Sequence, residues 1–385
     1  MKKIFKYALL FIAACTLSFS LVACGDDKND NPNPNPEEID ISDAANLDYN
    51  ETNATAWGNY MVAVSKLLKN DAQTLYDEWN NGYAETFKNH NSTEYGSAMD
   101  CVSQIFDGCV DIAGEVGDTK IGDPYNKYVA GKTTEALYAV ESWYSWHSRD
   151  DYRNNIYSIR NAYYGSRDGS INANSLSALL AVKNADLDTR AKALIKAAAD
   201  AIYAIPQPFR NNINSKETVA AMEACADLGD FIDTELKPYF LENINDDATL
   251  DPVIKQYVDG VVLPTYKELA EKNAALDNAV NAFKSNPSNN TFAACAEAWL
   301  SAREPWESSE AFLFGPVDEL GLDPNMDSWP LDQDIIAQIL KSGDFSSLEW
   351  KDGDSDAKVE DAQNVRGFHT LEFFIFKDGK ARTVK

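Results

Sequence analysis

The chain has 385 residues, of which 44% are hydrophobic, 11% are aromatic and 25% are charged, and its formal net charge is −27. This composition supports a large buried core and argues against a mainly disordered chain. The strong negative charge repels phosphate groups, so it argues against nucleic acid and anionic lipid headgroups as partners.

Residues 1–23 have the pattern of a bacterial export signal. Three lysines precede a mostly apolar stretch, which is too short for a lasting membrane span. The tetrapeptide Leu-Val-Ala-Cys that ends at Cys24 resembles a lipobox, in which the cysteine is lipidated and becomes the mature N-terminus. The alternative is an ordinary secretory signal that a cysteine follows by chance.

Residues 24–48 are predicted to be a linker between the lipid and a folded domain. The acidic stretch after Cys24 resembles the surface-export signal of Bacteroidetes-type lipoproteins, and a simple solvated tether is the alternative. Alternating Asn and Pro at 31–36 favour an extended, semi-rigid spacer. We therefore expect a protein held at the outer membrane by its lipid alone and displayed on the cell surface, with the periplasmic face as the alternative.

Beyond the linker, apolar residues recur mainly at intervals of three and four, which is typical of amphipathic helices. The predicted helical segments are 54–89, 95–116, 149–164, 171–183, 187–204, 216–241, 249–284 and 291–312. Pro264 is expected to kink or split its segment, and the segment 216–241 is interrupted near Pro238.

The predicted fold class is all-α, with two antiparallel helical-bundle halves at residues 49–245 and 246–385. Alternating patterns typical of strands are almost absent. The C-terminus is an exception, since Phe373–Phe376 and Ala381–Val384 flank an Asp-Gly turn and could form a short β-hairpin.

The three histidines of the chain are His90, His147 and His369, and no pair has the His-Glu-x-x-His spacing of zinc peptidases. His369 stands three residues before Glu372, so in a helix the imidazole and the carboxylate would share one face. Together they could hold one metal ion or share a proton. The alternative is a histidine that a neighbouring carboxylate satisfies for structural reasons.

A second candidate cluster lies in the predicted helix 291–312. Arg303, Glu307 and Glu310 follow Trp299 at helical spacing, so they form one stripe. Such a stripe could be a self-neutralising ladder on the surface. It could equally be a buried polar site, because tryptophans flank it and buried charges need partners.

A third candidate cluster occupies residues 141–150. Glu141, Ser145 and Ser148 alternate here with tryptophans and a tyrosine. Capping of the following helix by Ser148 or Asp150 is the simplest interpretation. It leaves Glu141, Ser145 and His147, which are crowded among tryptophans, without an explanation.

Together these segments resemble the imelysin-like family. Gly367-x-His369-x-x-Glu372 is similar to the Gly-x-His-x-x-Glu signature of that family. Further stretches with this resemblance are 120–124, 141–148, 154–165, 299–316 and 327–332. In the family, the half with the signature comes first, whereas here it comes last, so the order resembles a circular permutation. This resemblance predicts that residues 299–314 and 367–372 pack near residues 141–148.

The family takes its name from a protein classed as a metallopeptidase, with His-x-x-Glu as proposed metal ligands. Other members are associated with iron uptake at the bacterial envelope, which implies a partner at the outer membrane. A hydrolytic zinc site usually has three protein ligands and a general base. One histidine among several carboxylates suits iron or zinc as a bound ion.

We therefore expect an envelope lipoprotein that binds iron or an iron-containing ligand in uptake. In this hypothesis His369 and Glu372 supply ligands or orienting contacts. Glu307 and Glu310 add negative charge, and Arg303 holds them in place. Glu141, Ser145 and Ser148 line the facing wall. One alternative is a metallopeptidase with a His-x-x-Glu metal site. The other is a non-catalytic structural or adhesion lipoprotein.

Overall fold

The computed structural model describes residues 47–351 and 353–384. The predicted signal at 1–23, the lipidation site Cys24 and all but the last two residues of the predicted linker 24–48 lie outside these residues. The all-α prediction is confirmed, since helices dominate the described part. Within that part, no helix is long and apolar enough to cross a bilayer.

The first part of the fold contains helices of very different lengths. They are α1 (Ala54–Glu78), α2 (Ala84–Lys88), α3 (Ala98–Gly114), α4 (Gly122–Val129), α5 (Thr133–Ala139), α6 (Ser148–Tyr164), α7 (Leu176–Lys183), α8 (Ala185–Ala204), α9 (Lys216–Phe231) and α10 (Lys237–Asn243). The predicted helix 54–89 is thus divided into α1 and α2 by a π-helical turn at Trp79–Tyr83.

The second part of the fold also consists of helices of different lengths, and it ends in two short strands. Its elements are α11 (Asp247–Tyr257), α12 (Leu263–Ser285), α13 (Asn289–Glu307), α14 (Pro316–Glu319), α15 (Leu322–Asp327), α16 (Gln333–Ser342), α17 (Asp356–Gln363), α18 (Gly367–Ile375), β1 (Phe376–Lys377) and β2 (Lys380–Ala381). This part also has 3-10 turns at Glu310–Phe312 and Ser346–Leu348, and the first part has one at Phe209–Asn211.

Proline splits the long helical runs where the sequence predicts. Pro264 lies at the start of α12, directly after the π-helical turn Val258–Val262. A proline cannot donate a backbone hydrogen bond, so the register changes just before it. Pro238 likewise lies at the start of α10, after the π-helical turn Ile232–Leu236.

The predicted hairpin is present, but its first strand begins later than expected. Phe376 pairs with Ala381 in antiparallel register. Residues 373–375 belong to α18 instead, because this apolar run is buried on all sides and lacks the alternation that would specify a strand.

Helix packing produces two neighbouring bundles. In one, α1 packs against α12 and α18, and α12 packs against α13; in the other, α6 and α9 pack against α3 and α8. Contacts of α13 and the turn Glu310–Phe312 with α6 connect the two bundles. This junction is where the candidate site lies. The division at residues 245 and 246 stays a prediction.

Candidate metal centre

The His-x-x-Glu pair lies on α18, in which every residue is buried. The helix begins at Gly367 with φ of +83°, where a β-carbon would lie 2.4 Å from the Met326 carbonyl oxygen. Only glycine fits this close approach, which sets α18 against the C-terminal end of α15. As the spacing predicts, His369 and Glu372 share one face, with His369 Nδ1 3.0 Å from Glu372 Oε2.

The other ring nitrogen of His369 faces carboxylates from two distant segments. Nε2 lies 3.0 Å from Asp327 Oδ1 and 3.4 Å from Glu141 Oε1. The Trp329 ring packs edge-on to the imidazole, with 5.0 Å between ring centroids. The His369 side chain has no exposed surface, and Arg303 Nη2 also lies on this side, 3.4 Å from Nε2.

Glu372 is saturated with hydrogen bonds. Its Oε1 accepts from the Tyr144 amide at 3.0 Å, from the Ser145 amide at 2.7 Å and from Ser145 Oγ at 2.7 Å. Its Oε2 faces His369 Nδ1, so it holds the proton on that nitrogen and directs Nε2 towards Asp327. Between the two roles that the sequence leaves open, ligand or orienting contact, this geometry is that of an orienting group.

Arg303 is the central cation of the site, and its side chain is fully buried. Its Nη2 lies 2.5 Å from both Glu141 Oε1 and Glu307 Oε1, and its Nη1 forms an ion pair with Asp327. Asp151 Oδ2 is 3.8 Å from Nε. One guanidinium therefore fixes carboxylates from four segments. It holds Glu307 as expected, but it forms no ion pair with Glu310 within the described residues.

A second buried cation, Lys120, completes the far side. Its Nζ lies 3.2 Å from Glu141 Oε2 and 3.6 Å from Glu310 Oε1. Glu307 Oε2 accepts a 2.5 Å hydrogen bond from Asn155 on α6. Glu307 and Glu310 are thus both buried and both turned into the junction between the bundles.

The two predicted serines support the walls of the site. Ser145 binds Glu372, and Ser148 Oγ donates to the Glu141 carbonyl oxygen at 2.5 Å. In the part of the chain that the structure describes, neither serine hydroxyl forms a hydrogen bond with His369 Nε2. The eight predicted residues lie in one buried region, and the predicted approach of 299–314 and 367–372 to 141–148 is present.

Comparison with known sequences gives the family. The imelysin family profile matches residues 34–234 and 262–385. The chain belongs to the imelysin family. That the order of its halves is permuted relative to other members stays a prediction.

A solved relative and a characterised relative support the assignment. A crystal structure of an imelysin peptidase from Bacteroides ovatus is 62% identical, covers 89% of this chain and 100% of its own, and superposes with a TM-score of 0.88. Iron-regulated protein A from Synechococcus elongatus is 34% identical over 123 residues, which are 32% of this chain. The chain matches only 31% of that protein's length.

The charges of this imelysin-family site are strongly unbalanced. We call the following six carboxylates the acidic cluster: Glu141, Asp151, Glu307, Glu310, Asp327 and Glu372. Each of their side chains is less than a tenth exposed. Arg303 and Lys120 supply two permanent positive charges against them. Buried charges without partners are costly, so the cluster must hold protons or further cations.

The pKa values of the acidic cluster reflect this excess of carboxylates over cations. Burial alone would raise the pKa of Glu141, but Lys120, His369 and Arg303 outweigh it and lower that pKa to about 2. In Glu307, burial together with Asp151 outweighs Arg303 and raises the pKa to about 8. Glu141 therefore stays ionised beside His369, whereas Glu307 retains a proton at neutral pH.

Two subsets of the site have the composition of a metal centre. Ligand atoms of Glu141, Asp327 and His369 lie within 4.8 Å of one another, and so do those of Glu307, Glu310 and Asp327. The first subset offers one imidazole nitrogen and two carboxylate oxygens, which is a donor set for iron or zinc.

Asp327, Lys120 and Asp151 are site residues that the sequence analysis does not select. Asp327 and Lys120 both lie in stretches that resemble the family, so the resemblance was the available signal. For Asp151 the signal was its position four residues after His147, whose Nδ1 lies 2.6 Å from Asp151 Oδ1.

Proposed function

We propose that this protein is a lipid-anchored envelope protein that binds iron or an iron-containing ligand at the centre around His369, as part of iron uptake. The observation that carries the proposal is the pairing of His369 Nε2 with Asp327 and Glu141 inside a cluster of six carboxylates and two permanent cations. The name of the Synechococcus relative, iron-regulated protein A, agrees with it.

The donor geometry fits a metal ion. Ligands about 2.1 Å from a common ion lie roughly 3.0–3.4 Å apart in octahedral or tetrahedral arrangements. Nε2 of His369 stands at 3.0 Å from Asp327 Oδ1 and 3.4 Å from Glu141 Oε1. The same separations suit hydrogen bonds from a protonated imidazole. Because Arg303 Nη2 lies 3.4 Å from Nε2, a cation that replaces this proton must also displace the guanidinium.

Each remaining residue has a supporting task in this proposal. Glu372 holds the His369 ring in place, and Trp306 Nε1 donates to Asp327 Oδ2 at 2.6 Å. Arg303 and Lys120 hold the carboxylates together in the absence of a metal. Iron bound here would act as a Lewis acid in a site from which bulk water is excluded.

Metal titration tests the proposal. Calorimetry with Fe²⁺ under anaerobic conditions, and with Zn²⁺, is expected to give binding that His369→Ala weakens at least about tenfold. His90→Ala is the matched control, because His90 lies between α2 and α3 and pairs with Asp251 instead. Equal affinity of the wild type and His369→Ala, with both proteins folded, would remove the proposal.

Peptide hydrolysis is less well supported than binding. A metallopeptidase with a His-x-x-Glu metal site needs the glutamate of this motif free to bind the ion. Glu372, the glutamate of the motif, is instead engaged in four hydrogen bonds. Zinc-loaded wild type that cleaves a peptide library above the level of Glu372→Gln would favour the peptidase. A purely structural cluster would show a lowered melting temperature in His369→Ala and no metal binding.

The proposed anchor rests on Cys24. Metabolic labelling with a radioactive fatty acid is expected to mark the wild type and leave Cys24→Ala unlabelled. Protease treatment of intact cells then distinguishes display on the surface from the periplasmic face. Unlabelled wild type would contradict the anchor without affecting the metal centre.

A further inference from the structure

An open groove of about 430 Å³ lies between α6 and α13, beside the buried centre. It is lined by His147, Asp150, Arg153, Asn154, Tyr157, Leu300, Ser301 and Glu304. Arg303 follows Ser301 by two positions on α13, so one helix serves both the groove and the centre. None of the groove residues is needed for the metal-binding proposal above.

Arg153, like Arg160, differs from the other arginines of the described residues. It forms no ion pair within the described residues, and its buried Nε has no hydrogen-bond partner there. Its guanidinium instead lies over two aromatic rings, 4.3 Å from the Tyr203 centroid and 5.0 Å from that of Tyr157. Ion pairs with carboxylates are formed by Arg149, Arg167, Arg190, Arg210, Arg303, Arg366 and Arg382. Stacked and unpaired, Arg153 is held ready for an external carboxylate.

The surroundings of the groove are positive although the whole chain is negative. Arg149 stacks over Tyr203 at 4.4 Å and Arg160 over Tyr157 at 4.1 Å, so three arginines follow one face of α6. Asp151 and Asp150 outweigh burial and raise the pKa of His147 to about 9, which adds a fourth positive charge at neutral pH.

Two carboxylates line the same groove and reduce this charge without cancelling it. Asp150 accepts a 3.0 Å hydrogen bond from Gln207 and lies 3.9 Å from Arg149, so it is already engaged. Glu304 is the other acid. The charged side chains that line the groove balance, with His147 and Arg153 against Asp150 and Glu304. With Arg149 and Arg160 beside the groove, and Asp151 paired with His147, the local excess is one positive charge on a chain of −27.

A chain of polar contacts connects the groove with the centre. His147 Nδ1 is 2.6 Å from Asp151 Oδ1, and Asp151 Oδ2 is 3.8 Å from Arg303 Nε. The exposed fraction of the three side chains falls from 26% through 1% to 0% along this path. The groove is thus the solvent side of the wall that encloses the acidic cluster.

We propose that this groove binds a small polycarboxylate anion, with Arg153 as the residue that pairs with its carboxylate. Asn154 and Ser301 offer further hydrogen bonds, and Tyr157 and Leu300 offer apolar contact to the carbon skeleton. That the anion carries ferric iron as a chelate rests on the proposed function; the anion site itself does not. A free metal cation is a poor occupant, because Arg153 would repel it.

Calorimetry with citrate and with ferric citrate is the direct test. Both are expected to bind the wild type, and Arg153→Gln is expected to weaken both about tenfold or more, since a charge-assisted hydrogen bond is lost. Arg160→Gln is the matched control: this arginine also lacks an ion pair and stacks on Tyr157, but it does not line the groove. Its affinity should stay within about twofold of the wild type.

A second variant keeps the test informative if Arg153→Gln is unstable. Ser301→Glu places a negative charge inside the groove and is expected to weaken citrate binding about tenfold as well. Absence of citrate binding to the wild type, or equal binding by the wild type, Arg153→Gln and Ser301→Glu, would overturn the groove as an anion site.

The two proposals fail separately. In one outcome, citrate binding depends on Arg153, but Fe²⁺ and Zn²⁺ bind equally well to the wild type and to His369→Ala. This outcome supports the groove and contradicts the metal centre. If metal binding depends on His369 but Arg153→Gln binds citrate as well as the wild type does, the metal centre is supported and the groove is contradicted. If citrate binds but ferric citrate does not, the groove is an anion site that takes no iron chelate.

Discussion

The ammonium group of Lys120 lies 3.2 Å from Glu141 Oε2, deep between the two bundles. The lysine side chain is only 9% exposed and the glutamate side chain 7% exposed, so little water screens the pair. This lysine is brought into the site by the π-helical turn Glu115–Ile121, which departs from regular α-helix directly before α4.

Lys120→Met is expected to lower the free energy of unfolding by about 3–5 kcal/mol, because Glu141 and Glu310 lose a buried counter-charge. The variant should also gain more thermal stability than the wild type when iron or zinc is added, since a bound cation replaces the missing charge. Denaturant titration and melting curves with and without metal measure both effects.

Lys127→Met is the control for that experiment. Lys127 pairs with Asp123 at 2.5 Å on α4, but these side chains are 34% and 45% exposed. The loss of such a pair should cost less than about 1 kcal/mol. Equal losses in the two variants would show that Lys120 has no special electrostatic role.

Glu372→Gln is expected to disturb both stability and metal affinity. The carboxylate accepts hydrogen bonds on both oxygens, and an amide nitrogen must face one set of donors instead. We expect a loss of about 2–3 kcal/mol in unfolding free energy and a 10- to 100-fold weaker metal affinity. Glu360→Gln, on the exposed face of α17, should change neither quantity. Wild-type metal affinity in Glu372→Gln would exclude the orienting role.

Gly367→Ala tests the contact between α18 and α15. The β-carbon would lie 2.4 Å from the Met326 carbonyl oxygen in a left-handed backbone conformation, so we expect a loss of about 3 kcal/mol or more. Gly353→Ala separates the two causes, because Gly353 has φ of +89° and nothing within 4 Å of its β position. It should lose only about 1–2 kcal/mol for the backbone strain. Similar losses in both variants would show that the close approach is unimportant.

The pair His147–Asp151 makes stability depend on pH. Burial disfavours the charged imidazole, but Asp151, Asp150 and Glu307 outweigh it and raise the pKa of His147 to about 9. Because the pKa is raised on folding, the stabilisation is complete below about pH 6.5 and is lost as the pH rises towards 9. His147→Gln should therefore destabilise by up to about 3 kcal/mol at pH 6 and much less at pH 10. A pH-independent difference in unfolding free energy would contradict this pairing.

Much of the fold is predictable from spacing alone. The intervals of three and four give the longer helices, and Pro238 and Pro264 give positions where long runs divide. They give none of the helices α4, α5 and α14 to α17, which lie outside the predicted segments. The start of the first strand at the C-terminus is less predictable. Residues 373–375 are all buried, so their hydrophobicity does not alternate in the way that would distinguish a strand from a helix. Helix packing across the junction also has no local signal, because it depends on contacts between residues far apart in the chain.

The site is predictable in its centre and less so in its surroundings. His369 and Glu372 follow from one helical turn, and Arg303 with Glu307 follows from another. Asp327 gives no such signal, because its neighbours in the site come from other segments and it ends a six-residue helix. The orienting role of Glu372 depends on backbone amides of residues 144 and 145, which no spacing rule could reveal.

Ser145 and Glu372 are 227 positions apart in the chain, yet their direct contact holds the His369 ring in place. A polypeptide that has not yet folded, or that lacks its last twenty residues, therefore has no assembled centre. If the predicted export signal carries the chain across a membrane before it folds, the proposed metal centre is assembled only after transport.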